Sequence, residues 1–121
     1  MHVGPEITRR EESGLLVLEL RGEHDIASAP ELRCAFEAAL AEHPGVVADL
    51  TRATFVDSTV LGVLLGAREQ ARAQARGFAV LLGEGAELAV RRIIEVTGLA
   101  PILPVHDTQE AALAAAAIAG A

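Results

Sequence analysis

The sequence predicts one α/β domain: a mixed, largely parallel β-sheet of four to five strands packed with about four α-helices. Three observations predict it. Short apolar runs bounded by glycine or proline alternate with longer segments whose apolar residues recur every three to four positions, the order of strands joined by helical crossovers. One run, FAVLL (78–82), is apolar throughout and closed on both sides by glycine, as in a strand covered on both faces. The chain of 121 residues is 51% apolar, enough to bury a core without metals or disulfides.

The elements follow in order. EITRRE (6–11) reads as an edge strand, and LLVLEL (15–20) as a strand between the turn signals Ser13-Gly14 and Gly22. Ser28 and Glu31 have capping-box spacing, ahead of a helical face of Leu32, Phe36 and Leu40 with Ala35 and Ala39 beside them. VVADL (46–50) follows the breaker HPG as a second core strand. A helix then opens at Asp57 and buries Val60, Leu61, Leu64 and Leu65 before turning polar through Arg68, Glu69, Gln70 and Arg72. Its glycines, Gly62 and Gly66, each cost about 1 kcal/mol of helix propensity relative to alanine, and their spacing predicts a close approach by another backbone. After FAVLL, the segment 86–98 places Val90, Ile93, Ile94 and Thr97 on one side and stops at Gly98. ILPV (102–105) is a short strand. Asp107 with Glu110 repeats the capping spacing before Leu113, Ala117 and Ile118, in an alanine-rich helix that frays into a tail. No internal repeat, linker or second domain is visible, so 1–121 reads as a single domain.

Composition narrows the function. A formal charge of −7 and 2% aromatic residues argue against a nucleic-acid partner, which needs clustered positive charge and stacking surfaces. All ten basic residues are arginine, which removes Schiff-base catalysis and the lysine phosphate grip. Cys34 is the single cysteine; it reads as a structural residue in a reducing compartment. No run reaches the roughly 20 apolar residues needed to cross a bilayer, and MHVGPEITRREE lacks the apolar core of a signal peptide. A cytoplasmic protein without a membrane partner is expected.

The chemistry concentrates in FVDSTVLGVLLGA (55–67). Asp57 is a good N-cap, which puts Ser58 and Thr59 in the first helical turn. That turn has unpaired N–H groups and roughly half a positive charge, so it tolerates a phosphate better than mid-helix, while Asp57 pushes against the dianion. The residues alone leave two readings open: ordinary capping, or a surface charge switch.

Three stretches, GEHDIASAPELR (22–33), ADLTRATFVDSTVLGVLLGA (48–67) and VTGLAPILPVHDTQEAAL (96–113), resemble in order the signature regions of the STAS domain found in bacterial anti-sigma-factor antagonists. The resemblance implies a STAS-like fold and a partner switch with no cofactor, metal or catalytic residue. In such a switch the unphosphorylated protein binds an anti-sigma factor that is also a GHKL-type serine kinase, which frees the sigma factor. Phosphorylation of Ser58 then switches the protein off, and a PP2C-type phosphatase restores it. Thr59 is a second candidate acceptor, Asp57 a cap and support for the switch, and a weak homodimer a further association to expect. The loop after the first core strand gives Glu23, His24, Asp25 and Ser28 as partner contacts, although Asp25 also reads as a turn residue and Ser28 as a cap. Val60, Leu61 and Gly62 at the helix start complete the expected surface, together with neighbours on the 84–97 helix. Val60 stands where the family pattern usually has glycine, so a β-branched side chain is expected to crowd that surface. Within the same resemblance, the alternative function is a phosphorylation-independent adaptor or scaffold in a signalling or transport complex.

Two other classes fit less well. A phospho-aspartate receiver centred on Asp49 also needs an acidic pair after the first strand and a late lysine, and the chain has no lysine. An enzyme built on His24, Asp25, Asp49 and Asp57 has no metal-ligand or acid–base spacing behind it.

Overall fold

A computed structural model describes residues 4–118. β1 (Glu6–Glu12) and β2 (Leu15–His24) form an antiparallel hairpin. β2 then changes partner along its length. Its first half pairs in parallel with β3 (Gly45–Asp49), and its last residues pair in parallel with β4 (Ala53–Val56). The change falls between Glu19 and Gly22, and the pairing with β4 then shifts register between Gly22 and Glu23, passing over Thr54. Gly22 has φ 78° there, a left-handed backbone that glycine adopts without Cβ strain. Gly22 therefore lies inside the strand, beside the shift, and is not the turn expected after residue 20; β2 runs on to His24.

β5 (Gly77–Leu81) and β6 (Val105–His106) complete six strands in the order β1-β2-β3-β5-β6, with β4 attached to β2. All pairings except β1–β2 are parallel. The strand not expected is β4. Its middle residues, Thr54 and Phe55, are exposed, so it shows no apolar run. ILPV is largely a turn, with β6 beginning only at Val105.

Four helices connect the strands: α1 (Ala29–Glu42), α2 (Ser58–Ala73), α3 (Leu88–Val96) and α4 (Gln109–Ala116). Strand alternation divides the core in two. Leu16, Leu18, Leu20, Val46, Ala48, Phe78 and Val80 face α1, α2 and α3, where Phe36 meets Phe78 edge-on with centroids 6.1 Å apart. Leu15, Val17, Val47, Ala79 and Leu81 face α4 through Ala112 and Ala116. β3 and β5 are buried at every position, as expected of strands covered on both sides. α4 lies very close to the sheet. A Cβ on Gly45 or Gly77 would sit 2.0 or 1.8 Å from the Ala116 carbonyl oxygen, so only glycine admits the helix at both positions.

The close approach expected at Gly62 and Gly66 is absent: a Cβ at either would meet nothing within 4 Å. They floor an open groove of about 210 Å³ between α1 and α2, flanked by Arg33, Glu37 and Gln70. α2 also stays buried further than its polar sequence suggested, through Ala67 and Ala71. α3 stops near Gly98, at φ 73°, as expected. α4 is capped by the Thr108 hydroxyl, which accepts from the Ala111 amide at 3.1 Å, and not by Asp107; its buried residues are Ala112 and Ala116, while Ile118 is exposed. Cys34, expected as a structural residue, is exposed on α1. The fraying tail beyond 118 lies outside the described residues.

Beside α4 the sheet carries charge. Glu19 and Asp49 are neighbours across β2 and β3 and are both buried. Arg10 spans them, 3.4 Å from Glu19 and 3.7 Å from Asp49, and also meets Glu12 and the Gln109 side chain. Arg21 hydrogen-bonds Glu19, and that bond, followed by the charge of Glu19, raises its guanidinium above the usual arginine value.

The helix start at Ser58 and the turn at Asp25

Parallel pairing sets the position of the site. His24 of β2 is in register with Val56 of β4, so the turn beginning at Asp25 and the helix start at Asp57 leave adjacent strands at the same end. α1 and α2 then run back over one face of the sheet. Their N-termini, with Ser28 and Asp57 as N-cap residues, stand side by side.

At α2 the cap is the one the sequence predicts. The Asp57 carboxylate accepts the Val60 amide at 3.0 Å, and the Asp57 carbonyl accepts the Leu61 amide at 3.2 Å. The cap holds Asp57 half-buried and leaves Ser58 exposed on the first residue of the helix, with Thr59 half-buried after it. A hydroxyl held there is open to a transfer reaction. A phosphate on it would meet the positive end of α2 and the negative charge of Asp57 together.

Four of the expected surface residues are not surface. Val60 and Leu61 are 0% and 1% exposed, as the apolar spacing of the helix predicts and the resemblance does not, because the third and fourth positions of α2 face the sheet. The valine in place of the family's usual glycine therefore fills the core and crowds nothing outside. His24 and Ser28 are likewise buried, at 0% and 4%, so neither meets a partner directly. Gly62 is exposed, Asp25 is exposed and Glu23 is half-buried.

The Asp25 turn is built from its own side chains. The Asp25 carboxylate accepts the Ala27 amide at 2.9 Å, an Asx turn, and the Asp25 carbonyl accepts the Ser28 amide at 3.1 Å. Asp49 repeats the motif with the Thr51 amide at 2.9 Å, so both aspartates are turn residues. The capping box expected of Ser28 and Glu31 does not form. The Ser28 hydroxyl makes no cap bond; it lies 3.1 Å from Nδ1 of His24 and 3.2 Å from the Asp25 carbonyl. Nε2 of His24 lies 3.0 and 3.1 Å from the carbonyls of Arg21 and Glu6. Facing two carbonyl acceptors, Nε2 carries a ring proton.

Sequence reasoning named the 84–97 helix as part of the surface but missed the exposed apolar side chains of Ile26 and Phe55. Ile26 at the tip of the turn is 71% exposed, Phe55 on β4 45%, and Leu88 at the start of α3 67%. Exposed acidic residues adjoin two of them in sequence, Asp25 before Ile26 and Glu87 before Leu88, and Arg52 is the exposed base of the β3–β4 turn. Phe55 is legible only once β4 is known to be a strand.

The chain matches the STAS domain family over residues 6–112. It belongs to the STAS domain family. An anti-sigma-B factor antagonist of Listeria monocytogenes is 32% identical to this STAS domain over 111 residues, covering 90% of this chain and 93% of that protein. The crystal structure of an anti-sigma factor antagonist from Mycobacterium paratuberculosis superposes with a TM-score of 0.81 at 29% identity, covering 96% and 98% of the two chains. The anti-sigma factor antagonist SpoIIAA in its unphosphorylated form shares the fold, with a TM-score of 0.72 at 23% identity over 89% of this chain and 93% of that one. Among the described residues, no three His, Cys, Asp or Glu side chains are placed to share a metal ion, and no helix is long and apolar enough to cross a membrane.

Proposed function

We propose that this STAS domain, as one unit over residues 1–121, is an anti-sigma-factor antagonist that works by partner switching in the cytoplasm. Unphosphorylated, it binds an anti-sigma factor that is also a GHKL-type serine kinase, and so releases a sigma factor. Phosphorylation of Ser58 ends that binding, and a PP2C-type phosphatase reverses it. On this reading the protein is a ligand and a substrate and catalyses nothing.

The observation that carries the proposal is the exposed Ser58 hydroxyl on the first residue of α2, behind an aspartate cap, in a chain whose relatives are named as antagonists of anti-sigma factors. A phosphate there changes the local charge by nearly two units at a helix end, where it can be accommodated without breaking the helix. The unit and its charge are thus suited to a reversible change of surface with the fold retained.

The test is phosphorylation of the purified protein by its anti-sigma kinase and ATP, with the modified residue located by mass spectrometry. Ser58 is the expected site. Ser58→Ala should keep its melting temperature and its partner and take up no phosphate, and Ser58→Asp should bind the partner more weakly. Phosphate found only at other residues, or none at all, overturns the proposal.

A further inference from the structure

His24 is fully buried and yet makes no contribution to the outer surface of the site. Its imidazole instead joins three elements. Nε2 reaches the Glu6 carbonyl at the start of β1 and the Arg21 carbonyl of β2, and Nδ1 reaches the Ser28 hydroxyl at the start of α1. The ring lies under the turn 25–28 and ties its far end to the sheet.

Ser28 supports the same conclusion from the other side. A serine at an N-cap ordinarily gives its oxygen to the first turn of its own helix. Here α1 lacks that bond, and the hydroxyl is shared between His24 and the Asp25 carbonyl. The helix gives up a cap, and the turn gains a second closure beside the Asx bond of Asp25 to Ala27. The consequence lies one strand away: since His24 is in register with Val56, whatever fixes the end of β2 fixes the turn against Asp57 and Ser58.

We propose that His24 and Ser28 form a buried latch that holds the Asp25–Ile26–Ala27 turn rigid against the first turn of α2, so that the kinase acting on Ser58 meets turn and hydroxyl as one surface. His24 and Ser28 are positioning residues; Asp25 and Ile26 make the contact. The kinase half of this inference rests on the function proposed above.

The test uses Ser28→Ala, which removes the hydroxyl and keeps the packing, and Ser28→Thr, which retains the hydroxyl. Amide hydrogen exchange reads the turn directly. In Ser28→Ala the amides of Ala27 and Ser28 should exchange about tenfold faster, the effect of one lost local bond, while those of β3 and β5 stay protected. Steady-state phosphorylation of Ser58 reads its use by the kinase: Ser28→Ala should raise KM about three- to tenfold with kcat little changed, because the loss is in binding and not in the transfer step. Ser28→Thr should return both toward wild type.

Unchanged exchange at 27 and 28 in Ser28→Ala overturns the latch. Faster exchange with an unchanged KM, or a fall in kcat alone, overturns its role in recognition. If wild-type protein takes up no phosphate at Ser58, the function proposed above has failed, and the exchange arm still decides the latch.

Discussion

Replacing Val60 by glycine, the residue common at this position in the family, separates two accounts of α2. A valine crowding the partner surface would be relieved by the change, and phosphorylation of Ser58 would rise with little effect on stability. The structure predicts the reverse. Val60 is 0% exposed in the cluster formed by α1, α2, α3 and the sheet. Removing three buried carbons costs about 2 kcal/mol of transfer free energy, and the cavity left in a packed core adds about 1 kcal/mol. Glycine's lower helix propensity adds a few tenths of a kcal/mol. A loss of about 3 kcal/mol corresponds to a melting temperature lower by about 10 °C for a domain of this size. The Asp57 cap is made to the backbone amide of residue 60, which glycine retains, so the hydroxyl keeps its position. Below the melting transition, Ser58 should be phosphorylated at the wild-type rate. Thermal or urea unfolding beside a kinase assay at 20 °C makes the comparison. An unchanged melting temperature with faster phosphorylation would refute the core assignment of Val60.

Three further outcomes are expected. Gly77→Ala drives a methyl against the Ala116 carbonyl, 1.8 Å away before any relaxation, and should cost about 1–3 kcal/mol by overpacking; urea unfolding reads it, and proteolysis should cut first in the displaced α4. Arg10→Leu leaves Glu19 and Asp49 buried side by side with Arg21 alone beside Glu19. Because Arg10 is about a third exposed (35%), solvent screens part of the pair, and the loss should be about 2 kcal/mol and smaller at 1 M salt. Arg21→Gln tests the pH dependence. A cation whose value is raised in the folded state contributes stability at every pH where arginine is charged and loses it only as the pH climbs past that raised value, well into alkali. The difference in stability between Arg21→Gln and wild type should therefore stay flat from about pH 6 to 9; a difference that titrates inside that range would refute the assignment.

Much of the fold was legible because its signals are local. The uninterrupted apolar residues of β5, the apolar face of α1 and the Asp57 cap each follow from neighbours within one or two helical turns. β4 was not legible: two of its four residues are exposed, and it forms by pairing with Gly22–His24 of β2, beyond the reach of β3. Gly62 and Gly66 misled for the opposite reason. Their spacing suits a close helix contact, but the closely packed glycines are Gly45 and Gly77, separate in sequence and adjacent across β3 and β5. At the site, the position of Ser58 was legible and its surroundings were not. The apolar spacing of α2 did predict the burial of Val60 and Leu61; that of His24 it did not, since its ring is held by the carbonyl of Glu6, 18 residues earlier on another strand.

The sequence by itself therefore determined the class of the domain and the Asp57 cap that sets Ser58 on the first turn of a helix, because periodicity and cap chemistry act over a few neighbouring residues. Only the tertiary structure decided what surrounds Ser58. Partner exchange along β2 brings the Asp25 turn beside it, turns His24 and Ser28 inward, and leaves Ile26 and Phe55 outside. Those placements arise from pairing between distant strands, and nothing in a local stretch of sequence encodes them.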